Sequence, residues 1–271
     1  IIEISAVPLA VFEYERGINH VFVTPGLSEL LELSEEKASE LYHDAVLFDQ
    51  YIRSITQNPV KGEAEIYQIH ENKYLQIHLS ESSDGYLGII SDATQSVLQK
   101  LHLCYENSHD PLTGLNKFDH FKELSAEILQ REDSKQVAAM VMIDLDDFKS
   151  INDTYGHDAG DHYLQKFSEV MKSMPEAHFL SARRSGDEFC MLIFDCRDKE
   201  EITGFLHTFY DTLRQNTVDL SCTESKTISA SCGFAITNGP PYNIARLLSH
   251  ADEALYEIKR STKGTYGEYH E

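Results

Sequence analysis

One segment, residues 137–147, constrains the fold more than any other. In it, an unbroken run of apolar residues is followed directly by acidic residues. Residues 137–143 read VAAMVMI, an unbroken apolar run typical of a strand buried on both faces. Directly after it come the carboxylates Asp144, Asp146 and Asp147. Ligands gather at strand ends in α/β sheets, and hard divalent cations prefer carboxylate oxygens. The segment therefore predicts either a metal site at the end of a central strand or an acidic loop that only solvates that end.

The net charge of the chain argues against some classes of binding partner. The chain has 271 residues, which allows two domains of roughly 100–200 residues each. With 45 Asp+Glu against 23 Lys+Arg, the net charge is −22, which argues against nucleic acid or an anionic membrane as the main partner. Because such a field repels phosphates, a phosphorylated ligand needs metal ions or a local basic cluster.

The cysteines and the apolar runs indicate a cellular compartment. Five cysteines without a CxxC pair are typical of reduced, mostly buried thiols in the cytoplasm. No apolar run reaches the roughly 18 residues of a membrane-spanning helix. The chain begins Ile-Ile rather than with Met. We therefore expect a cytoplasmic protein, or the cytosolic part of a longer membrane-anchored one, with no membrane contact within these residues.

Residues 1–94 alternate strand-like runs with a helical middle. The composition of residues 8–14 and 20–24 predicts strands, and residues 27–42 shift to helix formers, with Ser34 at the start of a helix. An antiparallel meander is predicted by three further runs, at residues 63–70, 73–79 and 85–91. The segments HVFVTPGLSELLELSEE and GEAEIYQIHENKYLQIHLSESSDGYLGIISDAT, in this order, resemble a PAS sensor domain. The resemblance implies an antiparallel-sheet domain that takes an unknown small-molecule or protein signal; another small α+β module is the alternative.

Residues 95–108, QSVLQKLHLCYENS, predict a connector helix. They contain no Gly or Pro and place Val97, Leu98, Leu101 and Cys104 at helical spacing. So short a helix is marginal in isolation and needs a packing partner. It packs either on its twin in a dimer or on the first domain.

From residue 109 onward, helix and strand patterns alternate, which predicts helices layered over a mixed sheet. Apolar residues at helical spacing predict helices around residues 118–128, 164–174, 202–213 and 244–258. Strand-like runs cover residues 137–143, 179–182, 189–194 and 227–236.

A second polar segment, RRSGDEF at residues 183–189, lies between two of these strand-like runs. By itself it is an ordinary hairpin turn. If the hairpin lies beside the strand of Asp144, then Asp187 and Glu188 could share metal ions with that residue. Two metals held by carboxylates are a device for in-line attack at phosphorus.

Two further segments could recognise a nucleotide. KSINDTYGHDAGD, at residues 149–161, is a loop that opens a helix, and its Asn and Asp could either read a purine edge or cap the helix at Asp158 or Asp161. Lys259, Arg260 and Lys263 lie near the end of the last helix. There they either stabilise the helix by interacting with the negative end of its dipole or supply the positive charge that a triphosphate needs.

Five blocks, in this order, resemble the GGDEF family of diguanylate cyclases. They are DPLTGL (110–115), IDLDDFKSINDTYGHDAGD (143–161), RRSGDEF (183–189), SASCGFA (229–235) and ADEALYEIK (251–259). The resemblance implies an α+β chain in three parts: a PAS-like antiparallel-sheet domain (1–94), a connector helix (95–108), and a GGDEF domain (109–271) with a palm-like mixed sheet covered by helices.

The resemblance also implies roles for individual residues. Metal ligands fall on Asp144, the backbone carbonyl of Leu145, Asp187 and Glu188. Asp187 is also the implied base for a ribose 3′-hydroxyl, with Glu188 as its acidic neighbour. Guanine recognition falls on Asn152 and Asp161, with His157 lining the same loop. Phosphate contacts fall on Lys259, Lys263 and the backbone N–H groups of Asp147 and Phe148.

The implied reaction joins two GTP molecules into cyclic di-GMP and releases pyrophosphate. Each 3′-oxygen attacks the α-phosphate of the other GTP, with Mg²⁺ or Mn²⁺ as cofactor, two ions per site. Since each monomer holds one GTP, a homodimer is part of the implied mechanism.

Three departures from the family pattern bear on this hypothesis. Ser185 replaces the first glycine of the signature, which costs about 1–2 kcal/mol if that position needs a positive φ. Thr262-Lys263 replaces Gly-Arg and keeps the charge without the bidentate fork. The inhibitory product site usually begins Arg-x-x-Asp, but Glu176 and Phe179 stand there, so feedback inhibition by that route is not expected.

Two other functions compete with this one. A catalytically weak or inactive GGDEF domain, affected by Ser185 and Lys263, would act as a GTP-binding or dimerisation module. A phosphodiesterase is not expected, because it needs a second large domain with its own metal cluster.

Overall fold

The structure is a computed structural model that describes residues 7–15, 18–81, 85–131, 137–237, 239–240 and 242–270. The chain divides into two compact units, Ile1–Cys104 and Tyr105–Glu271, each with its own core. In the described ranges, no helix is long and apolar enough to cross a membrane.

The first unit contains a five-stranded antiparallel sheet of order β2-β1-β5-β4-β3. Its elements are β1 (Leu9–Glu15), β2 (Phe22–Val23), α1 (Leu27–Leu30), α2 (Glu35–Tyr42), α3 (Ala45–Thr56), β3 (Ile66–His70), β4 (Lys73–Glu81) and β5 (Gly85–Asp92). Helix α4 (Thr94–Ser108) follows and contains the boundary between the units.

The sequence predicted the strands of this unit better than its helices. The meander of β3, β4 and β5 is confirmed. Ser34 caps α2, where its hydroxyl accepts a hydrogen bond from Lys37 N–H at 3.2 Å. Helix α3 was not predicted, although Asp44 caps it and its buried Phe48 and Ile52 fill the core against the sheet.

The second unit is built on a six-stranded mixed sheet of order β13-β12-β7-β9-β8-β6. Its elements are β6 (Asn116–Lys117), α5 (Phe118–Leu129), β7 (Val137–Leu145), α6 (Phe148–Tyr155), α7 (His157–Lys172), β8 (Phe179–Ser185), β9 (Glu188–Cys196), α8 (Lys199–Gln215), β10 (Thr217–Asp219), β11 (Ser225–Thr227), β12 (Ala230–Thr237), α9 (Ile244–Ser261) and β13 (Tyr266–Glu268). The four central strands are antiparallel, while β6 and β13 pair in parallel at the two edges.

Strand β7 lies inside this sheet and has helices over both of its faces. Ala139, Val141 and Ile143 join the core beneath α6, α7 and α8, while Met140 and Met142 join the core beneath α5 and α9. Fully burying a Val, Ile or Met side chain stabilises a fold by about 1.5–3 kcal/mol. The predicted doubly buried strand is confirmed, and the chain has the predicted α+β class.

The prediction of one polar loop over residues 149–161 was wrong. The stretch forms α6 and α7, which are separated at Gly156 by a backbone with φ of 87°. The N-cap of α7 is Gly156, without a side-chain cap, rather than Asp158 or Asp161. Ile151 and Tyr163 are buried, so packing against the sheet stabilises helices that this polar sequence does not predict.

Candidate functional site

The acids at the end of β7 lie beside the β8–β9 hairpin. Asp144 pairs in register with Glu188 on one side and with Ser231 on the other. The backbone N–H of Leu145 donates to the carbonyl oxygen of Asp187 at 3.2 Å. The structure therefore brings together two segments that lie about forty residues apart in the sequence.

Asp144 is half-buried and forms an ion pair with Lys259 of α9. Burial raises the pKa of the Asp144 carboxyl, and the negative charges of Asp187 and Glu188 act in the same direction. The Lys259 ammonium opposes this rise without cancelling it. Three carboxyl groups thus lie close enough to influence one another, and one lysine partly compensates them.

The hairpin turn accommodates Ser185 without the backbone strain considered above. Ser185 is the last residue of β8 and does not adopt a left-handed φ, whereas Gly186 does, with φ of 51°. The Ser185 hydroxyl donates to Glu188 Oε2 at 3.2 Å. The serine therefore adds a hydrogen bond to one of the candidate metal ligands.

Arg183 holds the turn in place. Its Nε and Nη2 donate to the carbonyl oxygen of Gly186 at 3.0 and 2.8 Å, and its Nη1 donates to Asp110 Oδ1 at 3.1 Å. Asp110 also accepts from the N–H and the hydroxyl of Thr113. Hydrogen bonds therefore join the DPLTGL and RRSGDEF segments into one support for the hairpin turn.

The N-terminus of α6 forms the second half of the site. Asp147 is its N-cap, with φ of 58° and no side-chain cap hydrogen bond, and Phe148 begins the helix with a buried ring. Lys263 Nζ donates to Asp147 Oδ1 at 2.9 Å. This ion pair lowers the pKa of Asp147, as do the charges of Lys226 and Lys259, and it raises the pKa of Lys263.

The candidate guanine readers lie on α6 and α7. Asn152 packs against Gly160, where an added Cβ would stand 2.0 Å from Asn152 Oδ1, so a larger residue there would displace the Asn152 side chain. Asp161 follows Gly160 directly, and His157 is the first residue of α7. Both Asp161 and His157 are exposed, and Asn152 is half-buried.

Some residues of the site were missed in the sequence analysis. Lys226, on β11, lies near enough to Asp147 to affect its pKa, but a lone lysine in a short strand gives no sequence signal. Asp146 was read only as one of three acids, yet it is 3% exposed and accepts from the hydroxyls of Ser229 and Ser231, both at 2.7 Å. The SASCGFA block contains both serines and is the sequence signal that could have indicated this contact.

The predicted metal ligands fit a hard divalent cation by their chemistry, because they supply only oxygen donors and carry excess negative charge. In the part of the chain that the structure describes, no three His, Cys, Asp or Glu side chains form a metal-holding group. The ammonium of Lys259 contacts Asp144 instead. Metal binding at these residues therefore remains a prediction.

Known proteins resemble the second unit most clearly. The family described as "Diguanylate cyclase, GGDEF domain" matches residues 107–265. The probable diguanylate cyclase DgcE of Escherichia coli is 32% identical over 73% of this chain and 18% of its own length. The cyclic di-GMP phosphodiesterase NbdA of Pseudomonas aeruginosa is 34% identical over 72% of this chain and 24% of its own length. The chain thus spans about a fifth to a quarter of these relatives.

Solved structures show the same likeness. The diguanylate cyclase SiaD of Pseudomonas aeruginosa, solved with its activator SiaC, matches 64% of this chain and 67% of its own, with a TM-score of 0.56 and 29% identity. The isolated GGDEF domain of YfiN from the same organism matches 60% of this chain and 94% of its own, with a TM-score of 0.55 and 28% identity. These likenesses confirm the predicted palm-like sheet covered by helices.

Proposed function

This chain belongs to the GGDEF diguanylate cyclase family, and from that premise we propose that its second unit condenses two GTP molecules into cyclic di-GMP and releases pyrophosphate. The observation that supports the proposal best is the pair of lysine–carboxylate contacts at one strand end, Lys259 with Asp144 and Lys263 with Asp147. Magnesium triphosphate carries the charges that complement both partners of each pair. With the nucleotide bound, Asp144 would face metal, and both lysines would face phosphate.

The roles of the hairpin acids follow from their positions. When bound, Mg²⁺ or Mn²⁺ would stabilise the negative charge that develops on the attacking 3′-oxygen and on the α-phosphate. Asp144, Glu188 and Asp187 would hold the ions together with the carbonyl of Leu145. Asp187, at the tip of the turn, accepts the proton of the 3′-hydroxyl. The Ser185 hydroxyl orients Glu188.

The rest of the nucleotide extends along α6. Backbone N–H groups of Asp147 and Phe148, at the positive end of the helix, bind the terminal phosphates together with Lys259 and Lys263. Asn152, about one turn further along α6, and Asp161 read the guanine edge, and His157 borders the same space. Gly160 keeps that space open for Asn152.

A homodimer completes the reaction, because one site holds one GTP. Helix α4 supports this part of the proposal. Leu98, Leu101 and Tyr105 are 39%, 52% and 54% exposed and follow one another at spacings of three and four residues. Such spacing forms an apolar stripe suited to a parallel twin helix.

We propose that the first unit is a PAS-like regulatory domain that responds to a small molecule or a protein. Its antiparallel sheet with helices between β2 and β3 supports this proposal. The relative SiaD was solved with an activator, so control of such a cyclase by a partner has a precedent among its structural neighbours.

Incubation of the protein with GTP and Mg²⁺ or Mn²⁺ tests the catalytic proposal, with product followed by chromatography. Wild type should form cyclic di-GMP and pyrophosphate, and Asp187→Ala should lose at least ~100-fold in rate, the scale on which charge-stabilising groups act. Asp195→Ala is a matched control, since Asp195 lies at the far end of β9. Tight GTP binding without product, at any metal or protein concentration, would favour the GTP-binding module.

The dimer has its own test. Leu101→Glu should convert the protein to a monomer in sedimentation and remove cyclase activity, because a buried charge opposes the helix contact. Leu103→Glu is the control, since Leu103 is 51% exposed but lies off the stripe. Equal effects of the two substitutions would contradict the proposed helix pairing.

A further inference from the structure

Hydrogen bonds connect the loop that carries Lys263 to the buried carboxylate of Asp146, which lies two residues beyond Asp144. Ser231 Oγ donates to Asp146 Oδ1 at 2.7 Å and accepts from the backbone N–H of Gly264 at 3.1 Å. Gly264 directly follows Lys263 and adopts φ of 73°. The carboxylate, the hydroxyl and the loop backbone therefore form one continuous chain of hydrogen bonds.

The carboxylate of Asp146 is buried and accepts two hydrogen bonds, which indicates a structural role. It is 3% exposed, and burying a carboxylate is costly unless hydrogen bonds replace its water. Ser231 supplies one of these bonds and Ser229 the other, at 2.7 Å each. The backbone N–H of Asp146 also donates to the carbonyl of Ser229 at 2.9 Å, which fixes its strand end against β12.

The loop itself is shaped to rest on this carboxylate. A Cβ added to Gly264 would stand 3.3 Å from Ser229 Oγ and 3.8 Å from Asp146 Oδ2, so the loop backbone lies directly over the pair. Thr262 has φ of −136° and is extended, so the left-handed turn falls at Gly264. The sequence Thr262-Lys263-Gly264 thus folds without strain and directs Lys263 to Asp147.

We propose that Asp146 and Ser231 are positioning residues that hold the 262–264 loop so that the ammonium of Lys263 stands at the N-terminus of α6. The proposal rests on the proposed function, since it takes the ligand there to be the triphosphate of GTP. Neither residue contacts the nucleotide. Their hydrogen bonds set its affinity by fixing where the lysine lies, so that binding does not have to order the loop.

The two serines provide a matched pair for the test. Both donate one hydroxyl hydrogen bond to Asp146, but Ser231 alone accepts from Gly264. Ser231→Ala should raise the KM for GTP about tenfold, equivalent to about 1.4 kcal/mol and typical of one lost hydrogen bond, with kcat within about twofold. Ser229→Ala should leave the KM within about twofold of wild type.

Calorimetry with GTP, supplied as its 3′-deoxy form, which lacks the attacking hydroxyl and cannot react, and with guanosine, both with Mg²⁺, separates positioning from general damage. Guanosine lacks phosphates, so Ser231→Ala should bind it as wild type does while binding GTP about tenfold more weakly. In a Lys263→Ala background, Ser231→Ala should have no further effect on GTP affinity, because both changes act through one side chain.

Three results would overturn the positioning role: unchanged GTP affinity in Ser231→Ala, equal losses for GTP and guanosine, or full additivity with Lys263→Ala. A wild type that binds no GTP would overturn it too. A wild type that binds GTP without making cyclic di-GMP would overturn the cyclase proposal alone, since calorimetry still measures the effect of Ser231→Ala.

Discussion

The five-stranded sheet of the first unit and the six-stranded sheet of the second bury their apolar side chains in different ways. In the second unit, adjacent residues of β7 enter cores on opposite faces, so Met142 and Ile143 are 2% and 0% exposed. In the first unit, Ile90 is 0% exposed but its neighbour Ile89 is 38% exposed. Helices cover both faces of the second unit's sheet, whereas the first unit's sheet has, among the described residues, one face that is largely open and that α4 covers at Tyr74.

The two units therefore present different surfaces: the second has a cluster of polar groups, and the first has an exposed apolar face. The second unit buries its apolar strands internally and concentrates polar groups at strand ends, where Asp144, Asp146 and Asp147 meet lysines and serines. On the first unit, the open face of the sheet presents Leu9, Phe22, Leu87 and Ile89. Contiguous exposed apolar surface of this kind marks interaction sites on soluble proteins.

The largest expected effect comes from a glycine pair, one in each sheet. A Cβ on Gly233 would stand 2.0 Å from the backbone nitrogen of Leu255 in α9, so Gly233→Ala should destabilise the second unit by about 3 kcal/mol or more. A Cβ on Gly88 would meet the ring of Phe12 at 2.1 Å, and a side chain moves more readily than backbone. Gly88→Ala should therefore cost the first unit about 1–3 kcal/mol. Hydrogen exchange reports each unit separately, and a larger loss for Gly88→Ala would reverse this ranking.

Truncation along β7 tests whether both faces are equally buried. Met142→Ala and Ile143→Ala should each lower the free energy of unfolding of the second unit by about 2–5 kcal/mol, because each leaves a cavity in a separate core. Denaturation by urea measures both. A negligible cost at either position would show that one face of this sheet is not covered in solution.

The corresponding pair on β5 should behave asymmetrically. Ile90→Ala should cost about 2–5 kcal/mol, whereas Ile89→Ala should cost less than about 1 kcal/mol because its side chain is already partly in water. The measurement is hydrogen exchange of β4 and β5 amides in dilute protein. Similar costs at the two positions would mean that something covers the outer face.

Acidification should affect both regions in the same direction and by the smallest amount. Burial raises the pKa of Asp110, but hydrogen bonds from Thr113 and the Arg183 guanidinium outweigh it and lower the pKa below the ordinary value. Similarly, Lys73 and Thr94 lower the pKa of Asp92 against the effect of burial. A lowered folded-state pKa contributes stability above the unfolded pKa of about 4, and that stability is lost as the pH falls through the folded value.

Asp110→Asn and Asp92→Asn should therefore each destabilise their unit by about 1 kcal/mol at neutral pH. The gap from wild type should narrow as the pH falls below about 4. Unfolding free energies at a series of pH values check this, and a gap that widens on acidification would contradict the assigned interactions.

Sequence patterns predicted those elements whose signal lies within a few neighbouring residues. The β3–β4–β5 meander, the Ser34 cap and the buried strand β7 follow from alternation, capping chemistry and apolar continuity. Helices α3 and α6 were missed. Residues 148–155 are dominated by polar side chains with weak helix preference, and the burial of Phe148 and Ile151 stabilises their helix.

The sequence by itself determined which chemical groups the site contains: carboxylates after an apolar strand, an acidic hairpin, an Asn/Asp-rich segment and two late lysines. It determined these because strand ends and tight turns have local signatures. Only the tertiary structure decided how the groups pair. Lys259 reaches Asp144 across 115 residues, and Ser231 reaches Asp146 across 85. Such contacts depend on strand order and register, which single segments do not encode, because each partner is set by the packing of elements far apart in the chain.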